Sequence, residues 1–129
     1  MQGLHLTADC HDCNCAAHWL TDAQALVAAC GRAVLAAGLQ PVSELAHRFP
    51  DTARGPGGVT ATLLLAESHL CVHTWPEQRA ATLDVYVCNF GADHSASAQL
   101  LMKALLALLE PGHVEQHALH RGRPAVVPA

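Results

Sequence analysis

The chain is predicted to form one α+β domain over residues 1–129, a two-layer sandwich in which a mainly antiparallel sheet carries two helices on one face. Three observations predict it: runs of period-two alternation that read as strands, two stretches with helical stripes, and their order of strand, helix, three or four strands, helix, strand. Apolar residues on both sides of the strand runs leave the other sheet face to be covered. A second copy of the chain, sheet facing sheet, is the simplest cover.

The first strand is Gly3 to Asp9, where Leu4 and Leu6 alternate with His5 and Thr7. Thr21-Asp22-Ala23-Gln24 matches a capping box, in which the threonine hydroxyl and glutamine amide satisfy free backbone donors at a helix start. Leu26, Cys30, Val34 and Ala37 then share one helical face, and Gly38 stands where helices commonly end. Pro41 to Phe49 reads as a second strand, followed by the turn-rich loop Pro50-Asp51-Thr52-Ala53-Arg54-Gly55-Pro56-Gly57. Val59–Glu67, His69–Trp75 and Thr82–Phe90 are three further strands. Asp93 is placed to cap a second helix with the stripe Leu100, Leu101, Ala104, Leu105 and Leu108, ending at Pro111-Gly112. His113 to His120 fits an edge strand, and Gly122 to Ala129 a frayed tail.

Composition narrows the function. With 51% apolar and 14% charged residues the chain is core-rich, and 129 residues suffice for one core but not two. Net charge is -4 with seven Lys and Arg scattered along the chain, so there is no footprint for nucleic acid or an anionic membrane. No apolar run approaches the roughly 20 residues that span a bilayer. Six cysteines without a signal peptide are expected to be reduced thiols in a cytoplasm.

The chemistry is concentrated in two strand runs. Alternation puts His69, Cys71, His73 and Trp75 on one face of the first, and Asp84, Tyr86, Cys88 and Phe90 on one face of the second. If the runs pair as a hairpin, these faces could line one cavity. Polar groups so embedded lose about 1–3 kcal/mol each without partners, so something must offset the cost.

The stretch Glu67-Ser68-His69-Leu70-Cys71-Val72-His73-Thr74-Trp75-Pro76-Glu77, followed by Asp84-Val85-Tyr86-Val87-Cys88, resembles the prokaryotic S-adenosylmethionine decarboxylase proenzymes. The resemblance runs from Gly3 to about Gly122 and is densest in that motif. It implies self-cleavage between Glu67 and Ser68 into fragments 1–67 and 68–129, with Ser68 converted into a pyruvoyl cofactor. It implies that His73 assists elimination during cleavage, that Thr60, where relatives usually carry serine, assists through its hydroxyl, and that Cys88 returns a proton to the substrate. It further implies that Glu77 binds the ribose hydroxyls, and that the region around Phe49 helps form the adenine pocket; Phe49 and Trp75 are the best aromatic candidates for stacking a base. A homodimer of cleaved protomers acting on a small molecule, in polyamine and spermidine synthesis, completes the expectation.

Two regions depart from the family pattern. Cys10 and His11 stand where aromatic residues are usual, and the loop between Phe49 and Gly58 is several residues longer. These departures keep open a pyruvoyl-dependent ornithine or arginine decarboxylase, with Asp9, Asp12 or Asp84 to meet the side-chain cation. A non-catalytic metal-binding or interaction module is the reading from another class. Cys10, His11, Cys13 and Cys15, with His18 beyond, are zinc-ligand types, but structural zinc draws on two separated pairs and no second C-x-x-C is present, so no metal is expected.

Overall fold

Period-two alternation sorts the strand residues onto two faces, and the computed structural model, which describes residues 1–125, shows what each face meets. The elements are β1 (Gly3–Cys13), α1 (His18–Thr21), α2 (Ala23–Ala36), β2 (Pro41–Arg48), β3 (Val59–Leu65), β4 (Ser68–Trp75), β5 (Ala80–Cys88), α3 (Ser95–Leu109) and β6 (Pro111–Arg121). The strands form one six-stranded sheet in the order β2-β3-β4-β5-β1-β6, every pair antiparallel. The predicted α+β class and the edge position of the last strand both hold. The tail expected from Gly122 lies outside the described residues from Val126 onward.

One face of the sheet makes the core. Leu4, Leu6 and Ala8 of β1, Ala61 and Leu63 of β3, Leu70 and Val72 of β4 and Leu83 and Val85 of β5 are buried in one cluster with Leu26, Cys30 and Val34 of α2 and Leu101 and Leu105 of α3. The opposite face is polar and aromatic rather than apolar as expected, carrying His5, His69, His73, Asp84 and Tyr86 at partly exposed positions and Asp9 at an exposed one. Leu45, Leu64 and Leu119 are its exposed apolar residues.

Several boundaries differ from expectation for identifiable reasons. Asp22, not Thr21, caps α2, its carboxylate accepting from the Ala25 amide at 3.1 Å. Thr21 closes the short α1 instead and donates to the Ala17 carbonyl. The buried stripe of α3 is Ala98, Leu101, Met102, Leu105 and Leu109, rotated so that Leu100 is exposed and Ala104 faces out. β1 runs beyond Asp9 to Cys13 because β6 pairs with it as far as Pro111.

That extension decides the cysteine cluster. Cys10, Cys13 and Cys15 are buried while His11 is exposed and rests against His113, with ring centroids 5.9 Å apart. Cys10 and His11 therefore lie on opposite faces of one strand and do not converge. Among the described residues no group of three or more His, Cys, Asp or Glu side chains is arranged to hold a metal. Arg79, in the left-handed region at φ 49°, braces this corner by donating to the Cys13 and Cys15 carbonyls at 2.8 and 2.6 Å. No helix of the described residues is long and apolar enough to cross a membrane.

Burial pushes the Cys10 and Cys30 thiols up from 9.0 to about 12. Below pH 9 both states of the chain keep these protons and nothing changes. Above it the unfolded chain releases protons that the folded chain retains, so stability falls as pH rises from about 9 towards 12, by at most about 1.4 kcal/mol per pH unit for each thiol. Urea midpoints measured from pH 8 to 10.5 should show this decline, and Cys30→Ala should make it shallower, with the Cys10 contribution remaining.

Candidate active site

Ser68 opens β4 directly after a tight turn. Leu65 pairs with Ser68, so β3 stops two residues short of the expected Glu67, and Ala66 and Glu67 make the reversal. Glu67 takes the left-handed conformation at φ 54°, which costs a residue with a Cβ about 1–2 kcal/mol. The peptide bond between Glu67 and Ser68 thus sits at a strained corner. The Ser68 hydroxyl accepts from the Cys88 amide at 3.1 Å, which ties the corner to the end of β5. The Cys88 side chain projects onto the open sheet face and is partly exposed.

A second group lies at the other end of β4. Thr60 and His73 are register partners on β3 and β4, and the Thr60 hydroxyl meets His73 Nδ1 at 2.9 Å. His73 Nε2 lies 3.4 Å from the Cys71 sulfur, which lies 3.4 Å from the Thr62 hydroxyl. Both imidazole nitrogens are engaged, which fixes the ring plane. In the tautomer with Nε2–H, the Thr60 hydroxyl donates to Nδ1.

Thr60 and His73 form part of one wall of a cavity of about 790 Å³. Phe49, Thr60, His73, Trp75 and Glu77 line it together with the long loop after Phe49, and Arg54 and Glu77 are the permanently charged residues among the described lining. The volume suits a ligand the size of a nucleoside. Phe49 and Trp75 are 48% and 40% exposed, leaving their rings available to a base. The loop is braced by Asp51, which pairs with Arg48 at 2.8 Å and accepts from the Gly57 amide at 3.1 Å. The Gly57 amide first, then the Arg48 guanidinium, hold the Asp51 carboxyl below its usual range. A smaller cavity of about 290 Å³, lined by Asp9, His11 and Gln78 among others, shares Trp75 with it.

Beneath the cavity lies Thr74, which reasoning from the sequence passed over. Its buried hydroxyl accepts from the Val59 amide at 2.8 Å and donates to the Leu20 carbonyl at 2.7 Å. Gly58 packs on the same spot, since a Cβ there would fall 2.1 Å from the Thr74 carbonyl oxygen. The signal was a hydroxyl at an inward position of an otherwise apolar alternation.

The structure does not bring the two groups together within one chain. Ser68 and His73 are five residues apart on an extended strand, roughly 16 Å, so Glu67, Ser68 and Cys88 stand at one end and Phe49, Thr60, His73, Trp75 and Glu77 at the other. In place of the single cavity expected from the two polar faces, the sheet carries two separated groups. Also missed was a cluster beside Cys88, where His5 binds Asp84 at 3.0 Å and packs edge-on against Tyr86.

The model of the family described as S-adenosylmethionine decarboxylase matches residues 4–122. The S-adenosylmethionine decarboxylase proenzyme of Sulfurihydrogenibium sp. (strain YO3AOP1) is 34% identical over 98% of this chain and 86% of its own length. That of Hydrogenobaculum sp. (strain Y04AAS1) is 40% identical over 52% of this chain, and the match spans 47% of that relative. The fold is similar to the crystal structure of the adenosylmethionine decarboxylase from Aquifex aeolicus VF5, with a TM-score of 0.80 and 29% identity over 98% of this chain and 96% of that one.

Thr74→Val keeps the shape and removes the hydroxyl, leaving the Val59 amide and the Leu20 carbonyl without their partner. The expected loss is about 2–4 kcal/mol in chemical denaturation. A loss under about 0.5 kcal/mol would show that the hydroxyl is not a structural tie.

Proposed function

The chain belongs to the S-adenosylmethionine decarboxylase family, and from that premise we propose that it cleaves itself at Glu67–Ser68 and removes the carboxyl group of S-adenosylmethionine, supplying the aminopropyl donor for spermidine synthesis. The observation that carries the reading is the Ser68 hydroxyl docked on the Cys88 amide next to the left-handed Glu67. The strained corner lies at the bond to be cut, and the Cys88 backbone amide holds the hydroxyl that must attack it.

In self-cleavage the Ser68 oxygen adds to the Glu67 carbonyl and displaces the Ser68 nitrogen, turning amide into ester. Loss of the Ser68 Cα proton to a base expels the Glu67 carboxylate. Water then replaces the nitrogen, which leaves as ammonia, and residue 68 becomes a pyruvoyl group. His73 is the proposed base, an imidazole being the side chain best suited to taking up and passing on a proton, and Thr60 fixes its orientation. A pyruvoyl group at residue 68 would supply a ketone for the substrate amine and a sink for the electron pair left by carbon dioxide. Cys88 returns a proton to the substrate carbon, Glu77 accepts the ribose hydroxyls, and Phe49 and Trp75 hold the adenine.

The roughly 16 Å between Ser68 and His73 supports a dimer in which each site is shared. Two open sheet faces packed with opposite strand directions would set Glu67, Ser68 and Cys88 of one protomer against Thr60, His73 and Glu77 of the other. The same proposal places the protein in the cytoplasm, where its free thiols stay reduced. Ornithine or arginine is the weaker substrate: Asp84 is engaged by His5, and neither Asp9 nor Asp12 lines the large cavity.

Purified protein should separate into two fragments, the second blocked to amino-terminal sequencing, and Ser68→Ala should stay whole and inactive. His73→Ala alone should also stay uncut. Co-expressed with Ser68→Ala it should be cut, because one of the two shared sites is then complete; absence of this complementation would return both residues to a single chain. Labelled carbon dioxide should be released from S-adenosylmethionine and not from ornithine or arginine. Glu77→Gln should raise KM about tenfold with little change in kcat, and an unchanged KM would remove Glu77 from the ribose.

A further inference from the structure

Around Cys88 on the open face there is a cluster to which the reading above gives no task. Gly3 is the register partner of both Cys88 and Arg121 and has no side chain to fill the space between them. Tyr86 fills it: a Cβ on Gly3 would lie 3.0 Å from the phenol oxygen. Facing Cβ positions in an antiparallel pair are about 5 Å apart, which puts this hydroxyl within about 8 Å of the Cys88 Cβ on the same face. His69 and His5 flank the ring, with centroids 5.6 and 5.9 Å from it, and the Arg121 guanidinium lies over it at 5.9 Å.

Each free group of this cluster can donate a hydrogen bond. The one carboxylate within it, Asp84, is taken by His5 Nε2 at 3.0 Å, and His5 Nδ1 accepts from Arg121 at 3.3 Å. Tyr86 and His69 make no side-chain hydrogen bond among the described residues, and Arg121 has N–H groups to spare. Such a surface fits an anion. The amino-acid end of S-adenosylmethionine carries one anion, its α-carboxylate, next to the amine that must reach residue 68.

We propose that the Tyr86 hydroxyl, seated over Gly3 by His5, His69 and Arg121, binds the substrate's α-carboxylate and orients it for departure; the inference rests on the function proposed above. A neutral phenol suits this task better than a bare guanidinium. A strong ion pair would stabilise the carboxylate before the bond breaks and slow its loss, whereas one neutral donor sets direction at small ground-state cost. Arg121, committed to His5 and the ring face, acts through Tyr86 as a positioning residue.

The decarboxylated product has no carboxylate, and this separates binding from mere packing. In self-cleaved Tyr86→Phe, kcat/KM for S-adenosylmethionine per cut chain should fall about ten- to a hundredfold. The Kd of the decarboxylated product by calorimetry should stay within twofold of wild type. Unchanged kcat/KM, or equal weakening of substrate and product, overturns the proposal. Should Tyr86→Phe not self-cleave, Arg121→Gln decides in the same way: a loss for substrate alone supports the proposal, and no loss or an equal one overturns it. A wild-type enzyme that is cut but releases no carbon dioxide from S-adenosylmethionine overturns the proposed function and this inference together. An active wild type with an indifferent Tyr86→Phe overturns only the latter.

Discussion

The Thr74 hydroxyl is the tie on which the large cavity depends. It ties α1, at Leu20, to two neighbouring strands of the sheet, the start of β3 at Val59 and β4 itself. Gly58 can lie against the Thr74 carbonyl only because it lacks a Cβ. Together these contacts fix where the long loop leaves the sheet, and so where Phe49 and Arg54 stand relative to Trp75 and Glu77. A buried polar group of this kind stabilises only while both of its partners are present, which makes it a sensitive point as well as a strong one.

The sheet has two characters because its faces answer to different demands. Leu, Val and Ala residues on the inner face meet α2 and α3 and supply the burial that holds the domain. The outer face gives up apolar burial for imidazole, thiol, hydroxyl and carboxylate groups that satisfy one another in short chains, Thr60–His73–Cys71–Thr62 at one end and Asp84–His5–Arg121 at the other. Such chains orient each ring or thiol without help from the core. Their wide spacing along β4 makes the outer face two separate stations on a rigid plate, and the plate rather than a flexible loop sets the distance between them.

Alternation made much of this legible. The two faces of β4 and β5 follow from the period-two pattern around His69, His73, Tyr86 and Cys88, and the core face of α2 follows from Leu26, Cys30 and Val34. Where two local signals competed, the pattern was insufficient: Thr21 and Asp22 are both good caps, and the choice fell to Asp22 because Thr21 is used by α1. The turn at Ala66 and Glu67 carries no Gly, Pro, Asn or Asp, so the apolar run before it read as uninterrupted strand. The largest gap is geometric. Ser68 and His73 are near neighbours in sequence, yet an extended strand moves each residue about 3.3 Å onward, so a compact motif becomes a long object. Tyr86 over Gly3 depends on a pairing between residues far apart in sequence and has no local trace.

The position of β1 in the sheet bears on what scission at residue 67 would leave behind. The first fragment would own β1, β2 and β3, and the second β4, β5 and β6, yet the spatial order interleaves them: β1 is inserted between β5 and β6. Three ladders would therefore cross from one polypeptide to the other, at β3/β4, β5/β1 and β1/β6. The pieces could not part by sliding along one seam; the sheet would have to come apart at three. Unfolding would then release two molecules where one had folded, and recovery would become a bimolecular encounter governed by concentration. A protein assembled easily as a single thread would persist as an interlaced pair, durable once made and slow to remake.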